Sequence, residues 1–126
     1  MTKFKSDNVI QSITNALHGL KLAVFSQRNF VIELIISVFV IILAAILKFS
    51  ITDTCILIVM TAIVLVCELL NSVIEFTLDA VYKNTYSKLA EMAKDMSAGM
   101  VLLSACISIV IGILLFGSYI LRLVLN

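Results

Sequence analysis

The stretch TCILIVMTAIVLVCELLNSVIEFTLDAV, residues 54–81, decides the fold. Its first part, 54–76, is apolar for long enough to cross a bilayer as a helix, which takes about 20 residues. The apolar run is continuous and does not alternate, so it is not a strand of a membrane barrel. Within it lie Glu68, Asn71 and Glu75, at positions i, i+3 and i+7. At 3.6 residues per turn they share one helix face, and Asp79 extends the line by another turn. A charged side chain near the bilayer centre costs roughly 2.5–3.5 kcal/mol, so this row calls for a reason. One reason is a polar network that only holds helices together. The other is a site in which Glu75 lies near the membrane surface and Glu68 lies about 10 Å deeper, at 1.5 Å per residue. A carboxylate at the surface can hold a hydrated cation with its phosphates. A deeper one can meet the hydroxyl of a lipid that stays in the bilayer.

Two further stretches, 30–48 and 96–123, are also long and apolar enough to span, the first with one acid, Glu33, near its start. The chain contains no proline, so nothing forces a break in these helices. The 30–48 stretch starts too late for a cleavable signal peptide, and no small-residue cleavage motif follows it. Composition agrees: of 126 residues 62% are hydrophobic and 13% charged, where a soluble domain is about half apolar and a quarter charged. Disorder and a disulfide-rich secreted module are excluded. A net charge of +1 excludes a nucleic-acid binder driven by bulk charge. The expectation is one all-α integral-membrane domain, 1–126.

Residues 6–25 read differently. Val9, Ile10, Ile13, Ala16, Leu17, Leu20 and Val24 form the stripe of an amphipathic helix. Gln11, Asn15, His18 and Lys21 occupy the other face, and Ser6 or Asp7 can cap the start. Such a helix lies in the membrane interface. Basic residues set orientation. Lys3, Lys5, Lys21 and Arg28 precede the first span, and Lys83, Lys88 and Lys94 lie between the second and third. Lys48 and Arg122 stand alone at the opposite ends. The amino terminus and the 77–95 loop are therefore expected to face the cytoplasm. Residues 86–93 have helical periodicity, and the third span is expected to begin as a helix before it enters the bilayer. Cys55, Cys67 and Cys106 all fall in apolar spans without a CxxC pair, so they read as small buried hydrophobes.

A second polar cluster is AEMAKDMSAGMVLLSA, residues 90–105. Lys94 and Asp95 fall where the third span meets the surface, level with Glu75. Lysine supplies a mobile positive charge for phosphate, and Asp95 can orient it or assist a metal. Ala98 and Gly99 are small enough to admit a helix or a lipid. Taken alone, a lysine at an interface is most often a snorkelling side chain; beside the acid row it gains meaning. No P-loop and no protein-kinase motif set occurs. His18 stands alone and reads as a solvated interfacial residue.

Glu68-Leu-Leu-Asn71-Ser-Val-Ile-Glu75, followed by Ala93-Lys94-Asp95-Met-Ser-Ala98-Gly99, resembles the small prokaryotic integral-membrane lipid kinases, the diacylglycerol kinase and undecaprenol kinase family. The likeness runs nearly the whole chain: an amphipathic segment with Gly19, the QRNF turn at 27–30, three spans and the loop between the last two. The resemblance implies a homotrimer with composite sites between subunits, ATP as phosphate donor, Mg2+, and a membrane lipid alcohol as acceptor. It makes Glu68 the general base, with Asn71 positioning that base or the substrate and Ala98 at a substrate contact. Glu75 would bind the metal on the ATP phosphates. Asn15, Gln27, Tyr86, Ser87, Lys94 and Asp95 fall at the nucleotide side. The QRNF turn and the spacing of Asp79 to Lys94 look more like the Gram-positive and cyanobacterial branch, which includes undecaprenol kinases.

The chain departs from the family pattern at several points. Gln27 stands where the family commonly has a second metal-binding glutamate; an amide oxygen can coordinate but carries no charge. Thr85-Tyr86-Ser87 replaces the usual Glu/Arg-Tyr-His. Asn15 replaces a tyrosine, and Asn8 a basic residue. The alternatives to an active lipid kinase are a catalytically impaired or accessory member and a small multidrug-type transporter. Transporters of that type, however, have four tightly spaced spans with the key acid in the first.

Overall fold

The computed structural model describes residues 8–83 and 85–125. They form four helices, α1 (Val9–Ser26), α2 (Arg28–Ile46), α3 (Ile51–Tyr82) and α4 (Lys88–Leu125), and among the described residues there is no strand. Helices α2, α3 and α4 are each long and apolar enough to cross a membrane.

Helix α1 is capped by Asn8, whose side-chain oxygen accepts from the Gln11 N–H at 2.8 Å. That corrects the cap expected at Ser6 or Asp7, which lie outside the described residues. In α1 only Ala23 is buried, while Val9, Ile10, Ile13 and Leu17 are exposed. Gln27 alone separates α1 from α2, closing the first helix and opening the second in extended backbone.

Helix α2 ends at Ile46 rather than at 48. Lys48 takes a left-handed conformation, φ 55°. The Phe49 N–H then reaches the Ala44 carbonyl at 3.0 Å and the Lys48 N–H the Ala45 carbonyl at 3.1 Å. This is the Schellman ending, here without its usual glycine. Ser50 caps α3 by accepting from the Asp53 N–H at 3.1 Å. The same corner is tied to the far end of α4. The Tyr119 hydroxyl accepts from the Ser50 N–H at 2.8 Å and donates to Asp53 at 2.7 Å. Phe49 stacks on the Tyr119 ring with centroids 4.1 Å apart. Tyr119→Phe keeps the ring and removes both hydrogen bonds. Its expected cost is about 1 kcal/mol, read as a lower unfolding midpoint in detergent; an unchanged midpoint would mean that solvent replaces the hydroxyl.

Helices α3 and α4 outrun the expected spans at the end away from this corner. With neither proline nor glycine after Phe76, α3 continues to Tyr82, where Lys83 stops it in the left-handed region at φ 42°. Helix α4 begins at Lys88, its first turn capped by the Ser87 hydroxyl, 3.4 Å from the Ala90 N–H. At 38 residues α4 is about 57 Å long and exceeds the hydrocarbon core. Its start before the apolar segment is as expected.

Buried positions recur every seven residues on all three long helices: Phe30, Ser37 and Ala44 on α2; Leu57, Val64 and Asn71 on α3; Ser97 and Ser104 on α4. That period is the seam of left-handed helix packing. Helix α3 is the centre, with α2 and α4 both packed against it. The α4 side of the seam is serine, and Ser108 donates across it to the Met60 carbonyl at 3.2 Å. The opposite faces are apolar and exposed, as at Phe39 and Ile113, which suits a surface facing lipid or other helices. Cys55 and Cys106 lie on those exposed faces and Cys67 is half-buried, with all three thiols free. The burial expected of them is therefore not found within a single chain.

Candidate active site

The row on α3 forms as the helical period requires. Glu68 is only 3% exposed, although it carries a carboxyl group, and Asn71 and Ser72 are buried with it. Ser72 bonds back to the Glu68 carbonyl at 3.0 Å, which satisfies its hydroxyl inside the helix. Glu75 sits two turns beyond Glu68, half-buried, and the two carboxyl groups interact electrostatically. Asn71 lies between them, with its amide nitrogen 3.4 Å from a Glu75 oxygen.

Helix α2 brings two more polar groups to Glu68. Asn29 and Glu33 both act on its carboxyl group electrostatically. Glu33 keeps one buried oxygen, Oε2, without a hydrogen-bond partner among the described residues. Asn29 and Glu33 are four residues apart and thus on one face. That spacing was a readable signal, but nothing local shows that the face turns toward Glu68. Glu33 also stands at the rim of an open apolar groove of about 560 Å³ between α2, α3 and α4, lined by residues such as Val40, Leu57, Val64 and Phe116.

Helix α4 closes the other side. The Ser97 hydroxyl lies 2.6 Å from the Asn71 side-chain oxygen. Lys94, one turn earlier, is ion-paired with Asp79. The expected arrangement had Lys94 level with Glu75 and oriented by Asp95. The antiparallel register, with Ser97 opposite Asn71 and Ser108 opposite Met60, leaves the Lys94 backbone level with Glu75, but its side chain reaches one turn farther to Asp79, and Asp95 is exposed. Ala98 is exposed as well. Ser97, which the sequence reading passed over, takes the buried place between them.

The remaining expected residues lie outside the buried seam. Asn15 is on the exposed surface of α1, where it is engaged in an interaction of its own. Gln27 is at the α1–α2 elbow, its amide nitrogen 3.4 Å from the Ser26 hydroxyl. Ser87 serves as the cap of α4. Tyr86 donates to Glu91 at 2.7 Å, and Lys88 reaches the same oxygen at 3.0 Å. The bond to Glu91 pushes the Tyr86 phenol up from its ordinary value, so it stays a protonated donor at neutral pH. One chain thus assembles Asn29, Glu33, Glu68, Asn71, Glu75 and Ser97, with the Lys94–Asp79 pair at the end of the row.

Among the described residues no group of three His, Cys, Asp or Glu is placed to hold a metal ion. A caged structural metal therefore does not fit. Mg2+ does fit in the form it takes with nucleotides, where one or two carboxylates suffice and phosphates and water complete the shell. Glu75, half-buried on the row, could serve as one such carboxylate.

The family model described as prokaryotic diacylglycerol kinase matches residues 14–116. A diacylglycerol kinase of Synechocystis sp. is 34% identical over 105 residues, which is 83% of this chain and 60% of that protein. An undecaprenol kinase of Bacillus subtilis is 32% identical over 106 residues, covering 84% of this chain and 85% of that protein. The chain therefore spans less than two thirds of the cyanobacterial relative and most of the Bacillus one.

Proposed function

This chain belongs to the prokaryotic diacylglycerol kinase family, a family of lipid kinases, and from that premise we propose that it transfers the γ-phosphate of ATP to a membrane lipid alcohol. The acceptor is diacylglycerol, giving phosphatidic acid, or undecaprenol, giving undecaprenyl phosphate. The observation that carries the reading is the buried carboxyl of Glu68 at the head of a polar row that ends in the Lys94–Asp79 pair at the edge of the apolar zone. Such a row lets a water-soluble donor and a bilayer-bound acceptor meet.

In this reading the lipid chain lies in the apolar groove and presents its hydroxyl at the Glu33 end. Glu68 takes the hydroxyl proton as the oxygen attacks the γ-phosphorus, the bond to the β–γ bridging oxygen breaks, and ADP leaves. The proton passes from Glu68 to solvent after the product departs. Phosphoryl transfer rests on positioning and charge neutralisation. Bound Mg2+ supplies charge neutralisation at the phosphates. Glu75 holds the metal end of the donor, and Asn71 fixes the spacing between Glu75 and Glu68. Lys94 leaves Asp79 for the phosphates. Asn15, Gln27, Tyr86, Ser87, Asp95 and Ala98, exposed or half-buried on one chain, complete the site from a neighbouring subunit of a homotrimer. Helix α1 lies in the interface of the inner membrane, with the amino terminus in the cytoplasm. The transporter reading finds no support in three candidate spans among the described residues and this family membership.

The deciding experiment uses purified protein in lipid with labelled ATP, Mg2+ and either diacylglycerol or undecaprenol. Labelled lipid from one alcohol names the substrate; no product from either, with folded protein, would overturn the reading. In the same assay Gln27→Glu is expected to leave activity equal or higher, because it restores a charged oxygen ligand. A large loss would mean that the amide has a role of its own.

A further inference from the structure

We propose that Ser97 is a positioning residue: its hydroxyl holds the Asn71 amide in one orientation and thereby sets the Glu75 carboxylate. Its kinetic consequence rests on the lipid-kinase reading; its geometry does not.

Both Asn71 and Ser97 are buried, at 7% and 3% exposure, so neither trades partners freely with water. The Ser97 oxygen lies 2.6 Å from the Asn71 oxygen and 2.8 Å from the Lys94 carbonyl. A hydroxyl carries one proton, so it can donate fully to only one of them. If it donated to Lys94, Asn71 would turn its NH2 toward Ser97 and its carbonyl oxygen toward Glu75. An ionised carboxylate only accepts, so that arrangement sets two acceptors against each other. With the hydroxyl donating to Asn71, the amide NH2 faces Glu75, where the nitrogen stands 3.4 Å from the carboxylate oxygen. The donor direction is then the same throughout: Ser97 to Asn71 to Glu75.

Two other serines of α4 stay on their own helix, while Ser108 crosses to the Met60 carbonyl at 3.2 Å. Ser104 and Ser118 bond back to carbonyls three residues earlier, each at 2.8 Å, which is the ordinary resting place of a helical serine. Ser97 has such a carbonyl within reach as well, but it also meets a side-chain amide across the seam, where Ser108 meets a backbone carbonyl. It also lies one turn from Lys94, so it links the helix that bears the ammonium to the carboxylate proposed to hold the metal.

The test uses the full chain in lipid nanodiscs as wild type, Ser97→Ala, Asn71→Ala and the double variant. With asparagine 15N-labelled, the Asn71 side-chain resonance is the one lost in Asn71→Ala. Ser97→Ala is expected to shift that resonance and speed its exchange with water while the Asn29 amide stays put. The Kd for Mg-ATP should rise about three- to tenfold, the range for loss of one buried hydrogen bond. The same substitution should add nothing in the Asn71→Ala background, since its effect runs through that amide. An unmoved Asn71 resonance, or a Kd effect that persists without Asn71, overturns the proposal. If the wild type phosphorylates neither lipid, the kinase reading falls on its own, and the resonance and the Mg-ATP titration still decide the role of Ser97.

Discussion

Glu68→Gln is expected to lower kcat for lipid phosphorylation by about 10²- to 10⁴-fold, the scale of general-base catalysis, while Mg-ATP affinity stays nearly unchanged. The substitution preserves size and hydrogen-bonding shape, so the seam around α3 remains packed. Asn29 keeps a polar neighbour, and a neutral amide is easier to bury than a carboxylate. What disappears is an atom able to take the acceptor hydroxyl's proton. Nucleotide affinity should hold because Glu68 lies two turns from Glu75 and three from Asp79, the partner of Lys94. A loss of kcat without a change in binding marks an interaction made only in the transition state. The measurements are product formation from labelled ATP and a separate Mg-ATP titration in the absence of lipid. Wild-type turnover in the variant would remove Glu68 from the chemistry.

Glu75→Gln should show the reverse pattern. Mg-ATP binding is expected to weaken about 10- to 100-fold, in keeping with roughly 1.5–3 kcal/mol for a contact to a charged group, with a smaller fall in kcat at saturating nucleotide. The variant loses the charge that a cation on the phosphates needs. It also gives the Asn71 NH2 a neutral neighbour, one that presents either an oxygen or a second NH2. Raising Mg2+ should recover part of the activity, which a folding defect would not allow. Affinity equal to wild type would assign the metal end to another carboxylate. The two substitutions thus separate the roles along one row: a proton at the buried end, a cation nearer the edge.

Much of this was legible in the residues alone. The shared face of Glu68, Asn71, Glu75 and Asp79 follows from the pitch of a helix, and helix formation in an apolar segment without proline is a local matter. Helix ends were less legible. Asn8, Lys48 and Lys83 mark boundaries that hydropathy does not see, because a cap or a left-handed residue depends on backbone closure rather than on polarity. Apolar sequence around the cysteines points to burial, yet in a membrane span apolar side chains can face outward.

Three long apolar helices and a line of acids on one of them were determined by sequence, since both are properties of a single helix and its solvent. Which groups meet that line was decided only by tertiary structure. Asn29 and Glu33 come to Glu68, Ser97 rather than Asp95 turns inward, and Lys94, level with Glu75, extends its side chain to Asp79. Each outcome depends on the rotation and axial register of one helix against another. Those are set by how the seven-residue seams of α2, α3 and α4 interdigitate, and a shift of one turn changes every partner while leaving each helix's own pattern intact.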